Sequence, residues 1–282
     1  MPYAATELGR LFVQSTGRGM PVTFWNCLFG DSSIYQDLVQ GGADGIGSEH
    51  RVVMVEGPSH GRSDPWPRPF TLEQCADAWV QALDASGVEE PAVFCGLSWG
   101  AMVALRVAIR HPERVRALVL MSAIATAPRP RFVPQFLALA MAIRLFGFPD
   151  WLIRQMASGM VSPSSLRDRP KLVHDMLSRN RHLDRRAMRH AAASVLAHRS
   201  NIVDQLWRIH VPTWVVVGEQ DRTTPVRAAK TVGKAIENAE LRVLEGVGHL
   251  LTLEAPDEAR RVLREALESV AKSAQRESSV SA

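Results

Sequence analysis

Short apolar runs of nearly constant length, each stopped by glycine, proline or charged residues, recur along this chain and alternate with segments of helical spacing. The runs are Pro21-Val22-Thr23-Phe24-Trp25, Arg51-Val52-Val53-Met54-Val55, Ala92-Val93-Phe94-Cys95, Ala117-Leu118-Val119-Leu120-Met121, Thr213-Trp214-Val215-Val216-Val217 and Leu241-Arg242-Val243-Leu244. Runs this short and continuous fit strands buried on both faces of a parallel sheet. Between them, Leu72, Cys75, Ala76, Trp79, Val80 and Leu83 repeat at helical spacing behind Thr71-x-x-Gln74, a capping box. Ala259, Val262, Leu263, Ala266, Leu267 and Val270 repeat in the same way, with Asp257, Glu258, Arg260, Arg261, Arg264 and Glu265 on the opposite face. Strand alternating with one-sided helix implies right-handed crossovers and an α/β fold: a mostly parallel central sheet with helices on both faces. Ligands of such sheets sit beyond the carboxyl ends of the strands, so residues that directly follow strands are the functional candidates.

The 282 residues are 46% hydrophobic and 22% charged, which excludes a disordered, collagen-like or disulfide-scaffold chain. No apolar stretch has bilayer-spanning length, and the N-terminus lacks a basic segment followed by an apolar one, so a cytoplasmic protein with no membrane partner is expected. Cys27, Cys75 and Cys95 are odd in number and far apart, which indicates neither a disulfide framework nor a zinc site. The net charge of +4 is uneven, because residues 124–205 hold thirteen Lys/Arg against five Asp/Glu. That segment is rich in Arg, Met and Pro and reads as short helices. A helical insert over 124–207 is therefore expected, dividing an α/β core into 1–123 and 208–271. Residues 272–282 lack periodic apolar positions, which predicts a disordered tail. The basic segment carries no recognition motif or interleaved aromatic platform, so nucleic acid is not expected as a partner. The oligomeric state is not legible.

Chemistry concentrates at three strand ends. Gly96-Leu97-Ser98-Trp99-Gly100 follows one strand and opens an apolar helix, the order required for a serine held on a tight strand-to-helix turn between two glycines. A serine hydroxyl is a poor nucleophile until a base takes its proton, and the base needs an acid to fix its tautomer. Gly218-Glu219-Gln220-Asp221 and Glu245-Gly246-Val247-Gly248-His249 follow two later strands and supply both, with Glu219 and Asp221 as competing acids. Of nine histidines, His60 and His249 lie in glycine-containing loops beyond strands; a structural hydrogen-bonding role is expected for His60.

Glu56-Gly57-Pro58-Ser59-His60-Gly61-Arg62-Ser63-Asp64 and these three motifs, in this order, resemble the α/β-hydrolase superfamily over about residues 20–270. The resemblance implies Ser98 as nucleophile, His249 as general base and acid, and Asp221 as the orienting carboxylate, with the basic insert in the place of a cap. It also implies an oxyanion hole of two backbone N–H groups, from Trp99 and from Leu28. The chain departs from the family at Asn26-Cys27-Leu28, where a His-Gly pair is usual, and at Glu56 and Ala101. Asn26-Cys27-Leu28-Phe29-Gly30 is similar to a segment of 3-oxoadipate enol-lactonases.

The expected activity is cofactor-independent cleavage of a carboxylic ester or lactone, with no metal. Alternatives are carbon–carbon bond hydrolysis of ring-cleavage dienoates, acyl transfer or perhydrolysis, and, from another class, a slow-turnover ligand receptor. Asn26, Phe132, Phe136 and Trp151 are substrate-binding candidates, and the excess of positive charge on the insert suggests an anionic small-molecule substrate.

Overall fold

The computed structural model describes residues 2–40 and 45–280, with side chains as far as Ser273. Its eight strands are β1 (Tyr3–Thr6), β2 (Gly9–Thr16), β3 (Pro21–Trp25), β4 (Arg51–Val55), β5 (Ala92–Leu97), β6 (Val115–Met121), β7 (Thr213–Gly218) and β8 (Ala239–Leu244). They form one sheet in the order β1-β2-β4-β3-β5-β6-β7-β8. β1 and β2 pair antiparallel and β2 joins β4 antiparallel; every later pairing is parallel. Every residue of β3, β5 and β7 is buried, which is why these strands read as unbroken apolar runs. β8 is an edge strand with half-exposed and exposed positions.

Helices α1 (Gln36–Gln40), α2 (Leu72–Ala85) and α3 (Trp99–Arg110) belong to the first part of the core. Thr71 caps α2 by accepting from Gln74 N at 3.1 Å, and Gln74 Oε1 accepts from Thr71 N at 3.0 Å, so the capping box is formed. Between β6 and β7 come α4 (Val133–Phe146), α5 (Asp150–Met160), α6 (Pro163–Asp168), α7 (Lys171–Ser178) and α8 (Arg185–Ala192), the helical insert. Ile202 N donates to Ala125 O at 2.9 Å and closes its neck. The core therefore resumes before the expected boundary at 207, because the 3-10 turn Val203–Arg208 packs on α3 and on a later core helix. Buried Arg106 of α3 staples this junction, donating to Glu73, Met102 O and Ser200.

The second core part adds α9 (Val226–Ala235), α10 (Leu251–Glu254) and α11 (Pro256–Val280). Ala259, Val262, Leu263, Ala266, Leu267 and Val270 are all buried, as their spacing predicts. The expected disordered tail is instead helical through Val280, while Ser281 and Ala282 lie outside the described residues. Once a packed face has nucleated a helix, each further residue adds a hydrogen bond without a new nucleus, so the helix outruns its apolar pattern. No helix among the described residues is long and apolar enough to cross a membrane.

Candidate active site

Ser98 stands between the end of β5 and the start of α3 with φ 55° and ψ −106°. A Cβ on Gly96 would run into the backbone of Gly100 and Ala101, and one on Gly100 would run into the carbonyl of Trp25. Both glycines are thus required for α3 to start this close to β3 and β5. Ser98 N donates to Met121 O at 2.8 Å and Ser98 O accepts from Met102 N at 3.0 Å. Among the described residues Ser98 Oγ has no hydrogen-bond partner, and the residue is 7% exposed. Trp99 is the first residue of α3, where a backbone N–H has no intrahelical acceptor.

Asp221 and His249 meet across the ends of β7 and β8. Their loops touch so closely that a Cβ on Gly218 would overlap the carbonyls of Val247 and Gly248. Asp221 Oδ1 accepts from Thr223 N at 2.9 Å and Thr224 N at 2.8 Å; Oδ2 accepts from Thr224 Oγ1 and from His249 Nδ1, each at 2.8 Å. Burial opposes the carboxylate charge, but the field and hydrogen bond of His249 and the bonds from Thr224 outweigh it and hold Asp221 below the usual carboxylate pKa. An ionised Asp221 only accepts, so Nδ1 donates in this bond, and the neutral tautomer of the His249 ring then has its lone pair at Nε2. Glu219, the competing acid, is exposed and receives Gly246 N instead. His249 is 2% exposed. Its N–H donates to Met160 O in the insert, and its carbonyl accepts from Ser122 Oγ, each at 3.0 Å. Because Ser98 N bonds Met121 O and the next residue holds His249, the end of β6 supports both loops.

The 26–30 loop follows β3. Asn26 Nδ2 donates to Cys27 O at 2.9 Å and Gly30 O at 2.8 Å, and Oδ1 accepts from Gly57 N at 2.7 Å. Asn26, expected from the sequence to contact substrate, is a buried brace whose polar atoms bond backbone groups. Leu28 N–H has no partner among the described residues. Phe29 adopts φ +65° and donates its N–H to His60 Nε2 at 3.0 Å, while His60 Nδ1 donates to Pro58 O at 2.9 Å. Burial lowers the His60 pKa to about 4, so the ring is neutral, in the hydrogen-bonding role expected of it. The three cysteines are buried and free, and burial pushes the Cys27 thiol up to about 12. No cluster suited to a metal ion occurs among the described residues.

The insert candidates separate. Phe132, 39% exposed, lies under the Arg131 guanidinium, and Trp151, 53% exposed, pairs edge-on with Phe146. Phe132 ends the 3-10 turn that precedes α4, and Trp151 lies in the first turn of α5; neither belongs to the buried faces of these helices. Phe136 is half-buried. Phe148, buried, instead packs on the Phe29 ring at 5.5 Å. Several arginines are consumed structurally: Arg167 on Asp168, Arg181 on Asp150, Arg179 on Asp31, and Arg169 and Arg199 on carbonyls. Clefts of about 510 Å³, bordered by 29–33 and 176–183, and about 290 Å³, bordered by Leu137, Met141 and Arg189, flank the insert; no Ser98, Asp221 or His249 atom lines either. Thr224 and Asn180, which donates to Phe29 O at 2.8 Å, were not legible as site residues, although Asp-x-x-Thr is a local turn signal for the first.

A mostly parallel eight-stranded sheet, a serine elbow and a buried His–Asp pair at the strand ends, beneath a helical insert, define a class of fold and site. The chain belongs to the alpha/beta hydrolase family, whose sequence model matches residues 19–262. It is 25% identical over 209 residues to 3-oxoadipate enol-lactonase 2 of Acinetobacter baylyi, covering 73% of this chain and 74% of that one. It is 28% identical over 227 residues to 2-hydroxymuconate semialdehyde hydrolase of Pseudomonas sp. strain CF600, covering 74% and 73%. A thermophilic esterase from Thermogutta terrifontis, solved with malate bound, shares the fold with a TM-score of 0.87 at 24% identity, over 95% of this chain and 98% of that one.

Proposed function

We propose that the chain is a cofactor-independent serine hydrolase of carboxylic esters or lactones. The observation that carries this reading is the buried His249 Nδ1–Asp221 Oδ2 bond of 2.8 Å, with the His249 loop and the Ser98 elbow both bonded to the end of β6. Ser98 Oγ attacks the carbonyl carbon and its proton passes to His249 Nε2. The oxyanion is received by the N–H groups of Leu28 and Trp99. Collapse expels the alcohol, which takes the proton from His249. Water, deprotonated by the same imidazole, then attacks the acyl-Ser98 carbonyl; the acyl–Oγ bond breaks, His249 returns the proton to Ser98 Oγ, and the acid is released. The test is release of p-nitrophenol from short-chain esters together with fluorophosphonate labelling, both of which disappear in Ser98→Ala. Labelling of that variant, or its turnover at the wild-type rate, overturns the mechanism. The Pseudomonas relative supports a second reading, hydrolysis of a carbon–carbon bond in a dienoate. Activity on such dienoates and none on esters or lactones decides for it.

A further inference from the structure

We propose that Asn180, in the cap, is a positioning residue that makes the working shape of the oxyanion loop conditional on a closed cap. The kinetic part of the proposal rests on the serine-hydrolase reading. The Phe29 peptide groups are held from opposite sides. The core takes the N–H, through His60 Nε2 at 3.0 Å, and the cap takes the carbonyl, through Asn180 Nδ2 at 2.8 Å. Phe29 sits at φ +65°, a region that a residue with a side chain rarely occupies unless its surroundings impose it. Leu28, whose N–H is free to face an oxyanion, is its immediate neighbour.

Asn180 is buried, and it also donates to Leu177 O at 3.0 Å, so its amide links the last turn of α7 to the loop. Two neighbours strengthen the link. Arg179 reaches the Asp31 carboxylate at 3.5 Å and the Ser33 hydroxyl, and the Phe148 ring packs on Phe29. The base and acid loops are tied to a different part of the cap: Met160 O accepts from His249 N and Leu250 N, and Gly159 O accepts from Thr223 Oγ1. Lifting the 176–183 segment would therefore leave the His–Asp pair in place while removing the cap's hold on Phe29 O. With one of its two restraints gone, Phe29 can leave the left-handed region and carry the Leu28 N–H out of line. The hydrolytic machinery would then be complete only when the cap has closed over a substrate.

The experiment compares Asn180→Leu, which keeps the branched outline and removes both donors, with Asn180→Ala and with Met176→Ala, a buried change on α7, the helix just before the Asn180 turn, that leaves Phe29 O its partner. The expected result is a kcat on p-nitrophenyl butyrate about 10- to 100-fold lower for both Asn180 variants, with KM within about twofold because ground-state contacts are retained. Amide hydrogen exchange over 27–31 rises in both Asn180 variants, and Met176→Ala, even with a lowered Tm, changes neither readout. A kcat within about twofold of wild type, or unchanged exchange over 27–31, overturns the proposal. Equal kcat losses in Met176→Ala overturn it as well, by assigning the effect to cap stability. If the wild type cleaves no ester or lactone, the hydrolase reading fails by itself, and the exchange of 27–31 still decides whether Asn180 holds the loop.

Discussion

Replacing Asp221 with Asn exchanges one oxygen for an NH2 and inverts the proton arrangement at His249. In the native carboxylate, Oδ1 accepts two backbone N–H groups from Thr223 and Thr224, and Oδ2 accepts the Thr224 hydroxyl and His249 Nδ1–H. The backbone donors cannot turn away, so the single oxygen of Asn takes the Oδ1 position and its NH2 faces the imidazole. An NH2 there requires Nδ1 to accept, which moves the ring proton to Nε2 and leaves Ser98 without a base. The expected loss in kcat is on the order of 10⁴-fold, about 5 kcal/mol of barrier. The Thr224 hydroxyl can offer a lone pair to the new NH2, so stability should fall by only about 1 kcal/mol. Steady-state kinetics on a p-nitrophenyl ester, thermal melts and ¹⁵N shifts of the His249 ring measure the three consequences. A variant with kcat within tenfold of wild type, or with its ring proton still on Nδ1, would refute the tautomer argument. Because the native pKa of Asp221 is depressed, the stability it contributes is present above its unfolded value, near pH 4, and is lost as pH falls through the native value. The Asn variant should lose that acid limb.

Ser98→Ala should keep the wild-type Tm within a few degrees and abolish turnover; a calorimetric scan beside an ester assay checks both. Gly100→Ala pushes a Cβ into Trp25 O and should destabilise the fold by about 3 kcal/mol or more, read as a shift in urea midpoint at constant m-value. His60 titrates near 6.5 when unfolded and about 4 when folded, so its stabilisation is complete above the unfolded pKa and declines as pH falls towards 4. That loss is about 3 kcal/mol, and His60→Gln should flatten the stability profile between those limits.

The sheet was legible where strands are buried on both faces, since β3, β5, β6 and β7 read as continuous apolar runs. The β1–β2 hairpin was not, because exposed Glu7 in its turn, exposed Arg10 and half-buried Gln14 dilute the pattern. Ser98, Asp221 and His249 were legible as candidates because each follows a strand in a glycine-containing turn of the local sequence. Asn180 was not, because its partner Phe29 lies 151 residues away and nothing periodic connects them. Asn26 shows the converse: it drew notice from the likeness of its segment to enol-lactonases, and only the fold shows three backbone groups claiming its amide. Hydrophobicity alone likewise singled out Phe132 and Trp151, whereas the fold leaves both exposed and buries Phe148 against Phe29.

The Ile202 N–Ala125 O bond brings the two ends of the cap together beside neighbouring strands β6 and β7. The cap is therefore a closed excursion from a sheet whose own connectivity does not need it, the geometry of an exchangeable cassette. A short turn joining Ala125 to Ile202 would shorten the chain between two paired strands about fivefold and lower the loop-closure cost of that pairing by about 1.4 kcal/mol. A capless core of this kind should assemble its sheet faster than the native chain, and different caps grafted onto the same two ends could set which substrates reach one unchanged pair of strand-end loops.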